Sequence, residues 1–176
     1  MQQLRLSGTG GQGLILAGII LAEAALLDGK LAIQSQSYGP EARGGSSKSE
    51  VLISEQAIHF PKVTVPNVVL AMSQEACKKY TVDMNADTIL ITDTMMVKQL
   101  PDKAYKAAYE LPISHAAKET LGKVLFANIV ALGAIVKITG VVSPESLTKA
   151  VLARVPKGTE EINEKAIRLG MELVKQ

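Results

Sequence analysis

The chain has 176 residues, a formal net charge of +2 and 47% hydrophobic residues. That length suits one domain of about 100–200 residues and buries about 70% of the surface exposed by the unfolded chain, which excludes a disordered polymer. The near-neutral charge excludes nucleic-acid binding driven by bulk charge and an obviously cationic membrane surface, and the 3% aromatic content offers no base-stacking platform.

The pattern alternates strand and helix over the first hundred residues and then turns mostly helical. Leu4-Arg5-Leu6 starts a short strand that ends in a glycine loop. An Ala/Leu/Ile helix follows over 14–27, stopped by Asp28-Gly29. Leu31-Ala32-Ile33 is a second strand. Residues 47–53 alternate, with Ser49, Val51 and Ile53 on one face and Lys48, Glu50 and Leu52 on the other, the pattern of a half-buried strand. Residues 68–72 and 88–92 are continuous apolar runs suited to strands covered on both faces. Ser73 caps a short helix. The remainder reads as helices: one opened by Ser114, an apolar one over 124–138, one opened by Ser143-Pro144, and one opened by Thr159 with Ile162, Ala166, Leu169 and Leu173 at helical spacing. The fold class is α/β, a single domain over 1–176 with a largely parallel sheet flanked by helices.

Gly8-Thr9-Gly10-Gly11-Gln12-Gly13 satisfies G-x-G-x-x-G between a strand and a helix, a Rossmann-like setting. Such a loop allows a phosphate to approach bare main chain at the positive end of a helix. A dinucleotide site also wants an acid at the end of the second strand, and Ile33-Gln34-Ser35-Gln36 supplies none. Three readings stay open: a dinucleotide site, a turn required only for packing, and a site for another phosphate or anion, which fits the chemistry best. The Lys-Ser/Thr of a P-loop and the G-x-S-x-G of a nucleophile elbow do not occur.

The stretch Tyr38-Gly39-Pro40-Glu41-Ala42-Arg43-Gly44-Gly45 is a loop that is costly to order, as binding loops are. Arg43 beside Gly44 offers an unobstructed guanidinium to a carboxylate or phosphate, with Glu41 to orient it. Following strands of one small α/β unit, the two glycine loops are expected at the same sheet edge, where such folds bind ligands.

These two loops and Asn128-Ile129-Val130-Ala131-Leu132-Gly133-Ala134, in this order and spacing, resemble the gamma subunit of 2-oxoacid:ferredoxin oxidoreductases over nearly the whole chain. The stand-alone length is most similar to the 2-oxoglutarate-specific members, with pyruvate, branched-chain and indolepyruvate relatives also similar. The resemblance implies a cytoplasmic multi-subunit enzyme that oxidatively decarboxylates a 2-oxoacid, forms acyl-coenzyme A and reduces ferredoxin. It implies thiamine diphosphate and iron–sulfur clusters on partner alpha, beta and ferredoxin-like delta subunits, with coenzyme A at this one. Carried onto matching positions, Gly8, Thr9, Gly10, Gly11, Gln12 and Gly13 become a phosphate cradle, and Arg43 with Gly44 an anion partner. Catalytic and metal-binding residues are not expected in this chain.

The single cysteine, Cys77, allows no intrachain disulfide and no iron–sulfur cluster of its own. Lys78 and Lys79 would lower its pKa, yet an idle buried thiol is the simpler reading. His59 and His115 lack a third ligand at metal spacing. Asp93, ending an apolar strand, either meets a ligand or serves a turn. Met95 and Met96 are adaptable packing residues that suit a partner surface. Asn128, inside an apolar helix, needs hydrogen-bond partners and is expected to tie that helix to a loop. A cytoplasmic address without a membrane span is expected, since the apolar run 14–27 falls short of roughly 18 residues.

Overall fold

The computed structural model describes residues 1–37 and 45–175. The chain runs β1 (Gln2–Thr9), α1 (Leu14–Leu27), β2 (Leu31–Ser37), β3 (Ser46–Ser54), β4 (Val68–Ala71), α2 (Gln74–Tyr80), β5 (Ile89–Asp93), β6 (Ala107–Leu111) and α3 (Ile113–Leu121). A 3₁₀ turn (Val124–Phe126) then leads to α4 (Ala127–Thr139), α5 (Pro144–Arg154) and α6 (Glu160–Leu173).

The strands form one sheet in the order β2-β3-β1-β4-β5-β6. The β1–β4, β4–β5 and β5–β6 pairs are parallel, while β3 lies antiparallel to both β1 and β2. The first crossover therefore does not place β2 beside β1. β3 fills the gap, running back from the ends of β1 and β2 to their starts.

Alternation sorts the side chains onto two unequal layers. Leu4, Leu6, Val51, Ile53, Val68, Leu70 and Ile91 join the main core with α1 and α4. The opposite parity, including Val69, Ala71 and Leu90, packs under Met84, Cys77 and Val97 in two small clusters. Residues 127–136 of α4 are buried all round, as an apolar helix without a polar face must be. α6 crosses it so closely that a Cβ on Gly133 would press on the Ile167 backbone, and one on Gly170 on that of Val130. The buried stripe of α6 is accordingly Asn163, Ala166, Ile167 and Gly170. Ile162, Leu169 and Leu173 sit at its partly buried margin.

Three expectations need correction. The half-buried strand over 47–53 is buried on both faces, because α1 covers Ser49 and Val51 while Glu50 lies under an ion-pair network on the other side. The supposed all-helical remainder contains β6, an edge strand of weak propensity that is held by its register with β5. Ser114 does not open α3: Pro112 precedes the helix, and the Ser114 N–H donates to Asp93. α5 begins as its sequence indicates, with Ser143 Oγ accepting from the Ser146 N–H and Pro144 in the first turn.

Candidate functional site

In parallel α/β sheets ligands gather at the carboxyl ends of the strands. There β1 runs out through Gly8 and Thr9 into the glycine loop, and Gly13 opens α1. The antiparallel return of β3 sets Ser46 opposite Thr9, and the Gly10 N–H donates to the Gly45 carbonyl at 3.0 Å. The end of the second loop thus lies against the first. Tyr38, Gly39, Pro40, Glu41, Ala42, Arg43 and Gly44 lie outside the described residues.

The four motif glycines do different work. A Cβ on Gly8 would collide with Gln12 and Leu14. Gly11, at φ 91°, has no atom of the described residues within 4 Å of where a Cβ would stand. Gly13 combines φ 73° with the Asn128 amide 2.6 Å from a would-be Cβ. Among the described residues Gly10 has only Gly45 O nearby, at 3.8 Å, so they leave room for an alanine at that position.

The amides divide likewise. The Thr9 N–H donates to Gln12 Oε1 (2.7 Å), the Gln12 N–H to Thr9 O (3.2 Å) and the Gly10 N–H to Gly45 O. Gln12 Nε2 donates in turn to Met72 O at 2.9 Å, latching the loop to the end of β4. The N–H groups of Gly11 and Gly13 make no hydrogen bond among the described residues, and the first turn of α1 has no side-chain cap. Two unspent loop amides thus stand at the positive end of a 14-residue helix. Asn128 fixes this corner from the far side: its Nδ2 donates to Gly13 O at 3.3 Å, tying α4 to the loop as the sequence suggested.

A cationic network underlies the corner on the α2 face. Arg5, 4% exposed, donates to Glu50 Oε1 (2.7 Å), to Tyr80 O (3.0 Å) and to both carboxylate oxygens of Asp83 (2.5 and 2.9 Å). Lys48 joins Glu50 at 2.9 Å, Lys48 and Lys79 lie over the Tyr80 ring, and the Tyr80 hydroxyl donates to Ser46 O. The start of β3 is pinned in this way. Burial favours loss of Arg5's charge, but Asp83 and Glu50 outweigh it and hold the pKa above the ordinary value. Ser46 Oγ, at this same corner, is the one buried side-chain polar atom without a partner among the described residues. Nothing in the sequence marked Arg5 or Tyr80 for this role, since their partners lie 45 to 78 residues from Arg5 and 34 from Tyr80.

The other singled-out residues take structural places. Asp93, fully buried, accepts from the Met95 N–H (3.1 Å) and the Ser114 N–H (3.2 Å), making a turn and capping α3. Burial pushes the Cys77 thiol up, opposite to the lowering expected from its lysine neighbours. His59 and His115 are exposed, and among the described residues there is no cluster able to hold a metal ion. Met95 and Met96, 46% and 40% exposed, stand at the same sheet end as the glycine corner. No helix among the described residues is long and apolar enough to cross a membrane.

Residues 3–173 match the family described as pyruvate ferredoxin/flavodoxin oxidoreductase. A 2-oxoglutarate synthase subunit KorC of Methanocaldococcus jannaschii is 47% identical, over 99% of this chain and 95% of that protein. The crystal structure of a keto/oxoacid ferredoxin oxidoreductase gamma subunit from Geobacter sulfurreducens superposes with a TM-score of 0.86 at 50% identity, covering 98% and 97% of the two chains. A 2-oxoglutarate:ferredoxin oxidoreductase from Magnetococcus marinus, solved with 2-oxoglutarate, coenzyme A and succinyl-CoA, contains the same fold. Its TM-score is 0.86 at 24% identity, and this chain spans 30% of that longer one.

Proposed function

Because the chain belongs to the pyruvate ferredoxin/flavodoxin oxidoreductase family, we propose that it is the gamma subunit of a 2-oxoacid:ferredoxin oxidoreductase acting on 2-oxoglutarate. In this reading the assembled cytoplasmic enzyme decarboxylates the oxoacid, joins the acyl group to coenzyme A and passes the electrons to ferredoxin. Thiamine diphosphate and iron–sulfur clusters belong to alpha, beta and ferredoxin-like delta partners. This chain binds coenzyme A and completes the assembly.

The observation that carries its ligand role is the pair of unspent amides at Gly11 and Gly13 at the start of α1, with no atom of the described residues near the Cβ position of Gly11. A phosphate accepts from such groups and is favoured by the helix dipole. Bound coenzyme A would supply the thiol that takes the acyl group as a thioester. This chain's residues hold and orient its anionic part, Gln12 and Asn128 keeping the loop open and Arg43 adding a cation from the second loop.

Isothermal titration of the assembled complex with coenzyme A tests the role. Arg43→Ala is expected to weaken binding about tenfold, as a lost charge-assisted contact does, and Gly10→Ala by a similar factor because its methyl would stand where the phosphate approaches the loop. The described residues leave room for the methyl of Gly10→Ala, so its effect reports on the ligand. Unchanged affinity in both defeats the ligand role. It would leave a purely structural assembly subunit, the reading favoured by the engagement of the Thr9, Gly10 and Gln12 amides within the protein. Ferredoxin reduction compared across 2-oxoglutarate, pyruvate, 2-oxoisovalerate and indolepyruvate decides the oxoacid.

A further inference from the structure

Tyr80, the last residue of α2, reaches from its helix to the base of the glycine corner. The Gly10 N–H points to Gly45 O, so by the alternation of an antiparallel ladder the backbone polar groups of the preceding pair, Thr9 and Ser46, point away from each other. The Ser46 carbonyl therefore faces away from β1, and among the described residues the β2–β3 ladder ends at Ser37 and Lys48, short of it. The Tyr80 hydroxyl is its partner, donating at 3.1 Å. The Ser46 hydroxyl is buried and has no partner among the described residues, so Tyr80 is the side chain that holds Ser46 there. Tyr80 is itself buried and fixed at both ends. Arg5 Nη1 donates to its carbonyl at 3.0 Å, and the Lys48 and Lys79 ammonium groups stand 5.8 and 5.6 Å from its ring centre. Glu50 takes both Lys48 Nζ and Arg5 Nε, and Arg5 and Glu50 are direct cross-strand partners. The ring is thus aligned on the same two strands whose ends it braces.

We infer that Tyr80 is a positioning residue for the ligand: by fixing the Ser46 carbonyl it holds Gly45 against Gly10, and so sets which amides of the corner stay spare. The inference rests on the reading of the glycine corner as a coenzyme A site. With Gly45 in place the Gly10 N–H is engaged, and Gly11 and Gly13 keep theirs for a phosphate. Without the Tyr80 hydroxyl, the start of β3 loses its brace and the Gly10 amide loses a fixed acceptor. The loop then has to be ordered by the incoming phosphate, and that ordering is subtracted from affinity. The reacting carbon lies on another subunit in this reading, so the chemical step at saturating ligand is untouched.

The test is Tyr80→Phe in the assembled complex, which deletes the hydroxyl and keeps the ring beneath the two lysines. Ferredoxin reduction with 2-oxoglutarate, measured over a range of coenzyme A, is expected to show a KM for coenzyme A raised about fivefold, the share of one hydrogen bond, with kcat retained. Hydrogen–deuterium exchange read by mass spectrometry is expected to quicken in a peptide covering 6–13 and to stay unchanged over 127–136 of α4. A merely structural role would lower kcat through lost active enzyme and leave KM alone, and that result overturns the proposal. Unchanged exchange over 6–13 overturns it too, since the brace would then hold nothing. Faster exchange with an unchanged KM, while Gly10→Ala still raises KM, refutes the positioning role and keeps the corner as a ligand site. An unchanged KM in both variants removes the underlying reading as well.

Discussion

The contact between α4 and α6 gives a perturbation whose size follows from geometry. At Gly170 an added Cβ stands 2.8 Å from Val130 C and 2.9 Å from Ala134 N, and nearer still to Val130 O. All three are backbone atoms in the buried part of α4, so no side-chain rotation relieves the clash. Restoring ordinary contact at about 3.5 Å moves the helices apart by roughly 1 Å, and a gap of that order forfeits up to about half of each facing contact's attraction. Val130, Ala131, Ala134, Ala166 and Ile167 all belong to this buried layer. Overpacking costs about 1–3 kcal/mol where side chains can yield and about 3–4 kcal/mol is expected here because only backbone faces the added methyl, against about 1 kcal/mol gained when alanine replaces glycine in a helix. Gly170→Ala should therefore lose about 2–3 kcal/mol net, and thermal unfolding followed by circular dichroism should show a midpoint lower by roughly 5–10 °C for a chain this long. Gly133→Ala should behave alike, and the double variant should fall short of the sum, because helices already parted accommodate the second methyl. Exposed Glu172→Ala on the same helix serves as the control. A Gly170→Ala protein as stable as the parent, or more stable, would refute the close crossing.

Two further outcomes follow from the charged groups. Arg5→Ala leaves buried Glu50 with Lys48 as its remaining cation and should cost about 3 kcal/mol, the low end for a broken buried pair, in urea unfolding; Arg5→Met with Glu50→Met should cost less than the single change, and a near-neutral Arg5→Ala would sink the network's importance. Asp28, at the end of α1, accepts from the Ser143 N–H (2.6 Å) and hydroxyl (2.7 Å), joining α1 to α5. Burial pushes its carboxyl up, but hydrogen bonds from Ser146 and Ser143 outweigh this and hold it below the usual carboxylate range. A depressed folded pKa contributes stability that is present above the unfolded value of about 4 and is lost as pH falls through the folded one. The stability difference between the parent and Asp28→Asn should stay flat from neutral pH to about pH 5 and shrink below about pH 4; a difference undiminished at pH 2 would contradict the assignment.

Local signals were legible wherever they concern one stretch of backbone. The strand, glycine loop and helix over 4–27, the Ser143-Pro144 start of α5, and the tie from Asn128 all follow from residue type and spacing, because caps, turns and buried amides are satisfied by near neighbours or announce that they need a partner. β6 escaped because Ala107-Ala108-Tyr109-Glu110-Leu111 has little strand propensity of its own and exists through pairing with β5. The α6 stripe of Ile162, Ala166, Leu169 and Leu173 packs on the core as its spacing indicated, but Gly170, which makes the closest approach, was not marked because glycine carries no hydrophobic signal.

From its order of residues alone this protein is an α/β domain with a bare-backbone corner between its first strand and first helix, since φ preference and periodicity are properties of short segments. The tertiary structure decided that β3 slips antiparallel between β1 and β2, that Gly45 therefore meets Gly10, and that only some of the corner's amides remain to be used. Which distant strand edge completes a hydrogen bond depends on the packing of every layer at once, and no window of neighbouring residues contains that information.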